Sequence, residues 1–248
     1  MRSIHAVLIA AGLLLGAACG GASDANPPTA APDLPPEISP YEPEIDPADF
    51  VAAIDNPYMP FAPGTRYVLE GRSDGENERV TVIVTNKTKE IMGVVCTVVK
   101  DVARVDGEIA EKTFDWFAQD RHGNVWYFGE DSTEYEDGQP SSQQGSWEAG
   151  VDGALPGIVM LADPQIDDRY RQEFYEGEAE DLAQVLKLDA SAEVPYGSFD
   201  KVLVTKDWTP LEPKLLENKY YASGVGVVLE MAVKGATERL ELVEFSHP

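Results

Sequence analysis

Residues 90–119 read EIMGVVCTVVKDVARV-DG-EIAEKTFDWFAQ, and this stretch decides the fold. Two runs, from Glu90 to Val105 and from Ile109 to Gln119, are rich in Val, Ile, Thr and aromatic residues, which favour β-strands. Between them stands Asp106-Gly107, a pair that suits the tight turn of a β-hairpin. The stretch therefore predicts two antiparallel strands.

Similar runs recur along the chain, so the sequence predicts one strand after another. They cover Thr65 to Glu70, Arg79 to Thr85, Val125 to Gly129, Tyr170 to Tyr175, Lys201 to Trp208, Lys219 to Ala222, Val225 to Val233 and Glu238 to Phe245. One helix is predicted over Glu178 to Leu188, because an acidic first turn there precedes Leu182, Val185 and Leu186.

Some of these strands are apolar on both faces, as in Val125-Trp126-Tyr127-Phe128. Successive side chains of a strand point to opposite sides, so both sheet faces must be covered, or one must line an enclosed space. The predicted fold class is mainly β: a single antiparallel curled sheet or partly open barrel with one short helix. A sandwich is the alternative, and the interior is either a packed core or a cavity for an amphiphile.

The N-terminus, MRSIHAVLIAAGLLLGAACGG, resembles the signals of exported bacterial lipoproteins. A basic residue and a short apolar run lead through Ala17 and Ala18 to a cysteine. The apolar run from Ala6 to Ala18 would span about 20 Å as a helix, against about 30 Å of membrane hydrocarbon. The resemblance implies that residues 1–18 are a removed signal peptide and that Cys19 carries lipid, anchoring the exported protein to the membrane or cell envelope. Ordinary secretion with cleavage near Ala18 is the alternative.

Residues 19–45 read as a Pro-rich tether, because seven prolines fall between Gly20 and Pro43. In a polyproline conformation at about 3.1 Å per residue, the part from Gly20 to Pro43 would reach roughly 75 Å. Residues 46–248 then form one antiparallel β domain, long enough to bury a core without disulfides. Cys96 lies in an apolar run with no flanking basic residue, which predicts a buried, inert thiol.

The chain has 44 acidic and 19 basic residues, a net charge of -25. Such a charge repels nucleic acid and excludes it as a partner. It attracts cations, so the acids form either a solvated surface or a cation-binding site.

Signals for catalysis are sparse. The chain has three histidines and none lies near a nucleophile motif, which favours a non-catalytic protein. The acid-dense segment from Asp163 to Asp181 leaves a carboxylate-based hydrolase as an alternative. Asp120 and Asn124 have the spacing of a calcium loop without its glycine, so we interpret them as a hairpin turn, with a calcium site as the alternative. No other cofactor is predicted.

The long loop-like segment from Gly145 to Met160 is the first place to expect a ligand. Its candidate residues are Trp147, Glu148 and Asp152, with Tyr170, Arg171 and Glu173 as neighbours. The alternative is that Trp147 plugs the end of the sheet.

Short turn and aromatic motifs, among them Asn56-Pro57-Tyr58, Gly123-Asn124-Val125-Trp126 and Gly224-Val225-Gly226, resemble an uncharacterised group of β-rich exported bacterial proteins. This resemblance implies no activity. The functional hypothesis is a membrane-anchored, non-catalytic domain that binds an amphiphilic small molecule. A divalent-cation-binding surface protein and the hydrolase are the alternatives.

Overall fold

A computed structural model describes residues 40–248, all as strands, turns and loops apart from one 3-10 turn, Pro47–Asp49. The strands are β1 Phe50–Val51, β2 Arg66–Ser73, β3 Glu76–Ile91, β4 Val94–Val105, β5 Glu108–Asp120, β6 Val125–Glu136, β7 Gln139–Ser142, β8 Trp147–Glu148, β9 Leu155–Met160, β10 Arg169–Arg171, β11 Glu173–Phe174, β12 Leu182–Val194, β13 Gly197–Trp208, β14 Leu216–Ala222, β15 Gly226–Lys234 and β16 Glu238–Ser246. The predicted signal peptide, Cys19 and most of the tether lie outside these residues.

The strands form one antiparallel sheet in the order β10-β12-β13-β14-β15-β16-β2-β3-β4-β5-β6-β9-β11. Its two edge strands, β10 and β11, are separated along the chain only by Gln172. One short segment therefore pairs with β12 at one edge and with β9 at the other, which brings the sheet round into a nearly closed barrel. This confirms the predicted mainly β, curled antiparallel fold. We call residues 169–174, with their pairings to β9 and β12, the seam.

The hairpin predicted around Asp106-Gly107 is confirmed as β4 and β5. Asp106 and Gly107 both have positive φ, 48° and 90°, as the mirror-image turn of a two-residue hairpin requires. The long run beginning at Glu90 is nevertheless two strands, because Met92 and Gly93 also take positive φ and form a second tight turn. Cys96 is buried and free, as predicted, and burial raises the pKa of its thiol to about 12.

The helix predicted over Glu178 to Leu188 is wrong. Residues from Leu182 onward form β12, which pairs with β13 from Leu182 opposite Trp208 to Val194 opposite Gly197. Pairing on both sides satisfies the backbone of this segment and buries alternate side chains, Ala183 and Val185, in the barrel. These long-range contacts outweigh the local helical pattern, which carries a small free energy per residue.

The interior face of the barrel divides into an apolar and an acidic half. Register places Tyr67 opposite Val82, and Val82 opposite Asp101, on one continuous face. The apolar half, which we call the apolar interior, contains the fully buried side chains Tyr67, Leu69, Val80, Val82, Val84, Val99, Phe117, Leu203, Leu240 and Leu242. Phe61 packs into it, with its ring centroid 5.5 Å from that of Phe117. The end of the barrel that holds the apolar interior is thus filled with side chains.

Residues 41–51, which we call the strap, cross the outside of the barrel at the seam. The Tyr41 hydroxyl donates to the Pro156 carbonyl at 2.7 Å, and the Tyr41 ring lies 6.1 Å from that of Phe174. Farther along, the Phe50 ring packs edge-on against Trp126 and Phe128. Tyr41 also packs against Leu182 of β12 and Trp208 of β13, so the strap covers strands on both sides of the seam. Within residues 40–248 no helix has the length and apolar character needed to cross a membrane.

Candidate functional site

The second half of the barrel interior is acidic. Seven carboxylic residues, each at most 7% exposed, define what we call the acidic interior: Glu78, Asp101, Asp115, Glu130, Glu173, Glu230 and Glu238. Glu78 is the third residue of β3 and Asp101 lies in the second half of β4, so both are at the same end of an antiparallel pair. The other acids are also buried side chains, and two of them, Asp115 and Glu130, lie opposite each other on neighbouring strands. Burying one carboxylate without a partner is costly, so this grouping needs a physical explanation.

Lys219 is the buried cation that faces these acids. Its Nζ lies 3.7 Å from Oδ2 of Asp207, which also accepts a hydrogen bond from Gln172 at 3.2 Å. Burial lowers the pKa of Lys219, but the nearby carboxylates of Asp207 and Glu230 outweigh it and hold this pKa above its ordinary value. One ammonium group cannot neutralise seven carboxylates, so protonation must keep most of them uncharged.

Tyr127 shows where one such proton resides. Its hydroxyl oxygen lies 3.0 Å from Oδ1 of Asp115 and 3.1 Å from Oε2 of Glu130. One hydroxyl proton can be donated to only one of them, so the other carboxyl must itself be protonated to make its bond. Burial raises the pKa of Asp115 to about 8, and burial together with Asp115 raises the pKa of Glu130.

Glu173 is the most deeply placed of the acids. Its residue is fully buried, and neither carboxyl oxygen makes a hydrogen bond of normal geometry with the described residues. Burial raises its pKa first, and Asp181 raises it further; the indole of Trp147 is near enough to lower it in part. The Trp147 ring stands edge-on to Tyr127 at 5.4 Å. Trp147 and Glu173, both predicted ligand residues, therefore meet inside the barrel.

The remaining acids also hold protons near neutral pH. Burial and Glu230 raise the pKa of Glu78 to about 8, and burial and Glu217 raise that of Glu238 to about 9. Burial raises the pKa of Glu230 to about 7, although Lys219 opposes it. At pH 7 this half of the barrel is therefore a largely protonated, hydrogen-bonding surface.

A small cavity lies where the apolar and acidic halves meet. Its volume is about 20 Å³, room for about one water molecule. The apolar wall includes Met59, Val82 and Val227, and the polar wall includes Lys219 and Gln172. The hydroxyl of Tyr67 lines the cavity too, 2% exposed and without a hydrogen-bond partner among the described residues. The cavity thus offers both apolar contact and unused hydrogen-bonding capacity.

The other predicted ligand residues are divided between the two faces. Tyr170 is buried on the interior face, where Asp207 and Lys219 act on its hydroxyl. Arg171 points the other way and stacks on the strap and seam, with its guanidinium 4.7 Å from the Phe174 ring. Glu148 forms a half-exposed ion pair with Lys89 at 2.7 Å, and Asp152 is in an exposed turn. The six residues do not form one site.

The interpretation of Asp120 and Asn124 as a hairpin turn is confirmed. The Asp120 carboxylate accepts hydrogen bonds from the backbone of His122 and Asn124 and from the side chains of Asn124 and Trp126, all between 2.8 and 3.0 Å. Burial raises the pKa of Asp120, but these bonds outweigh it and keep that pKa below its ordinary value. The carboxylate thus closes the β5–β6 turn.

Across residues 40–248, no group of three or more His, Cys, Asp or Glu side chains is arranged to hold a metal ion.

In the acid-dense segment, the carboxylates of Asp163, Asp167, Glu176 and Glu178 are exposed, and only Glu173 and Asp181 are buried.

Most of the acidic interior was not predicted, because its residues are scattered over the sequence. One signal was present: Glu78 stands in phase with Val80, Val82 and Val84, the buried face of β3. An acid that continues an apolar alternation predicts a buried acid.

Two solved structures are similar to this chain. One is described as an exported protein with a YmcC-like fold from Bacteroides fragilis; it is 15% identical, with 75% of this chain and 97% of that chain covered and a TM-score of 0.44. The other is described as a lipoprotein from Parabacteroides distasonis, 13% identical, with 76% and 98% covered and a TM-score of 0.37. The sequence matches no protein-family profile and no curated protein.

Proposed function

We propose that this chain is an exported cell-envelope protein, anchored through lipid on Cys19, whose barrel binds an amphiphilic molecule. The N-terminal sequence supports the anchor, because its charge, short apolar run and small residues before Cys19 match lipoprotein signals. Two acyl chains on that cysteine would hold the protein at a membrane surface, where amphiphiles are concentrated. The barrel supports the binding role.

The observation that carries the binding role is the division of the interior. An amphiphile needs apolar contact for one part and hydrogen-bonding partners for the other, and ligand sites typically combine both. Here Val82 and Val227 meet Lys219 and Gln172 around one cavity, with the Tyr67 hydroxyl unused beside them. A ligand with a polar head would satisfy that hydroxyl and place its chain along the apolar wall.

The cavity must enlarge to accept such a ligand. Tyr58, Met59 and Phe61 form one of its walls and belong to a loop, not to a strand. Asn56 holds this loop in place, donating to the carbonyls of Gly123 and Leu161 at 2.9 and 3.0 Å. Movement of residues 57–62 would expose the apolar interior without breaking any strand pairing.

The test uses three amphiphiles with the same chain and different heads: dodecylamine, dodecanoic acid and dodecanol. We expect native mass spectrometry to show one bound probe per delipidated protein for at least one of them. Val227→Phe fills the cavity and should remove that binding. Val95→Phe, at a residue 58% exposed on β4, is the matched control and should bind as the wild type does.

Far-UV circular dichroism establishes that both variants are folded. Absence of all three complexes for the wild-type protein would refute the binding role. Equal binding by Val227→Phe and the wild type would place the ligand elsewhere and refute the proposed site.

A further inference from the structure

The seam is the weakest junction of the barrel. β11 pairs with β9 at two positions, Glu173 opposite Pro156 and Phe174 opposite Leu155, whereas β4 pairs with β5 at nine. Pro156 has no N–H group and cannot donate a hydrogen bond to the ladder. Opening here would therefore break few hydrogen bonds and would lead directly into the interior.

Glu173 occupies this weak junction and faces charge from every neighbouring element. Glu130 and Tyr127 of β6 lie on one side and Asp181, which precedes β12, on another. Lys219 of β14 and Arg171 of β10 are the nearby cations. Behind Glu130 stand Asp115 and Glu111 of β5, which add further negative charge when they ionise.

Burial disfavours a carboxylate in this position, and the Trp147 indole, the Asp181 backbone and the Lys219 charge offset that cost only in part. Both oxygens of Glu173 lack hydrogen bonds of normal geometry, and the residue is 0% exposed. Arg171 turns its guanidinium to the outer face, onto Tyr41 and Phe174, and does not pair with Glu173. The protonated form suits the closed seam, whereas the ionised form gains solvation and escapes Glu130 and Asp181 only when the seam opens.

We infer that Glu173 is a proton-controlled latch on the seam: its protonated side chain keeps β9 and β11 together, and its ionisation opens the barrel beside the proposed ligand site. This inference rests on the proposed function for its biological meaning, because an open seam gives an amphiphile a route to the cavity. The latch itself is a property of the ligand-free protein. It can therefore be tested separately.

The backbones of β9 and of residue 172 are packed so closely that the seam is either fully closed or open. A Cβ atom at Gly157 of β9 would lie 2.3 Å from the backbone of Gln172, so the two segments are in direct contact across the seam. The strap adds a second closure from outside, through the hydrogen bond from Tyr41 to Pro156.

The experiment is amide hydrogen exchange of the ligand-free protein at pH 6, 7, 8 and 9, with rates corrected for the pH dependence of the exchange chemistry. We expect residues 155–174 to exchange faster as the pH rises, by up to about tenfold per pH unit, since one proton is released on opening. Amides of the β4–β5 hairpin, which exchange through global unfolding, should remain much slower than those of the seam at every pH.

Glu173→Gln cannot ionise and should make seam exchange independent of pH. Glu193→Gln changes an exposed glutamate of β12 and should keep the wild-type slope. Glu130→Gln is a second test: it removes one of the carboxylates that repel Glu173 and should slow seam exchange at pH 9.

An unchanged slope in Glu173→Gln would overturn the latch, and so would equal exchange rates in the seam and the β4–β5 hairpin, which would indicate global unfolding. These results are distinguishable from failure of the proposed function. If the protein binds a probe but its seam exchange does not depend on pH, only the latch is refuted. If seam exchange depends on pH but no probe binds at any pH, the ligand-binding function is refuted and the latch stands.

Discussion

At the scale of single residues, Tyr127 organises the acidic interior. Its hydroxyl group lies between Asp115 and Glu130, so it shares one proton network with two carboxyls that would otherwise face each other unpaired. Its ring also stacks on Phe117 at 4.8 Å, which fixes the hydroxyl position. One side chain thus joins the apolar and acidic interiors.

Removing only that hydroxyl should be costly. Tyr127→Phe keeps the ring but leaves two buried carboxyls without their shared partner, so we expect a loss of about 1–3 kcal/mol in the free energy of unfolding. Urea unfolding at pH 6 measures it. Tyr135→Phe, on the same strand but half-exposed, is the control and should cost less than about 0.5 kcal/mol. Equal losses in the two variants would show that the bridge contributes nothing.

Sequence reasoning found individual interior residues only where they lie near one another in the chain. Trp147 and Glu173 were identified because a long aromatic loop precedes an acid-dense segment. Asp101 and Glu230 were not, because they are 129 positions apart and meet only through strand pairing. A face of a barrel is a long-range property that no local motif encodes.

At the scale of elements, the seam strands depend on a glycine. Gly157→Ala adds a Cβ atom 2.3 Å from the Gln172 backbone, and backbone cannot give way as a flexible side chain can. We expect a loss of about 1–3 kcal/mol, seen as a lower melting temperature. Gly197→Ala, where a Cβ would meet nothing within 4 Å, is the control and should leave it nearly unchanged. A stable Gly157→Ala protein would mean that the seam is looser than described.

The strands were predictable to different degrees. The β4–β5 hairpin followed from Asp106-Gly107 and its flanking runs, since turn chemistry and strand composition agree there. β12 was mistaken for a helix because Leu182, Val185 and Leu186 satisfy a helical pattern. Its pairing with β10 and β13 decides the outcome, and that information lies outside the segment.

At the scale of the whole molecule, antiparallel connectivity and apolar strands were enough to predict a curled sheet. Closure of the sheet into a barrel was not predictable. It depends on two short strands on either side of Gln172, of which β10 pairs with one edge of the sheet and β11 with the other. Residues 41–45 of the strap were predicted to be tether, whereas Tyr41 packs on the barrel.

The proposed anchor gives a prediction for the complete protein. Cells grown with labelled palmitate should incorporate label into the wild-type chain, and the protein should sediment with membranes. Cys19→Ala should lose the label and enter the soluble extracytoplasmic fraction, whereas Cys96→Ala, at a buried thiol, should keep it. An unlabelled wild-type chain would refute the anchor without affecting the barrel.

The acidic interior also predicts how the stability of the whole protein depends on pH. The pKa values of Glu78, Asp115, Glu230 and Glu238 are raised from ordinary values near 4 to about 8, 8, 7 and 9 in the folded state. Below the ordinary values both states are protonated, and these groups cost nothing. Between those values and pH 7–9 the folded state holds more protons than the unfolded state, so stability falls as pH rises.

We therefore expect the melting temperature to be highest near pH 4 and to decrease steadily toward pH 9, opposite to a protein whose carboxylates are paired. Asp120, whose pKa is lowered, should add a loss of stability only below about pH 4. Differential scanning calorimetry from pH 2 to 9 measures both limbs. Glu78→Gln/Glu238→Gln should flatten the decrease, and Glu136→Gln, at an exposed position, should not. A melting temperature that rises from pH 5 to 8 would mean that these acids are ionised in the folded barrel, and the protonated interior would have to be abandoned.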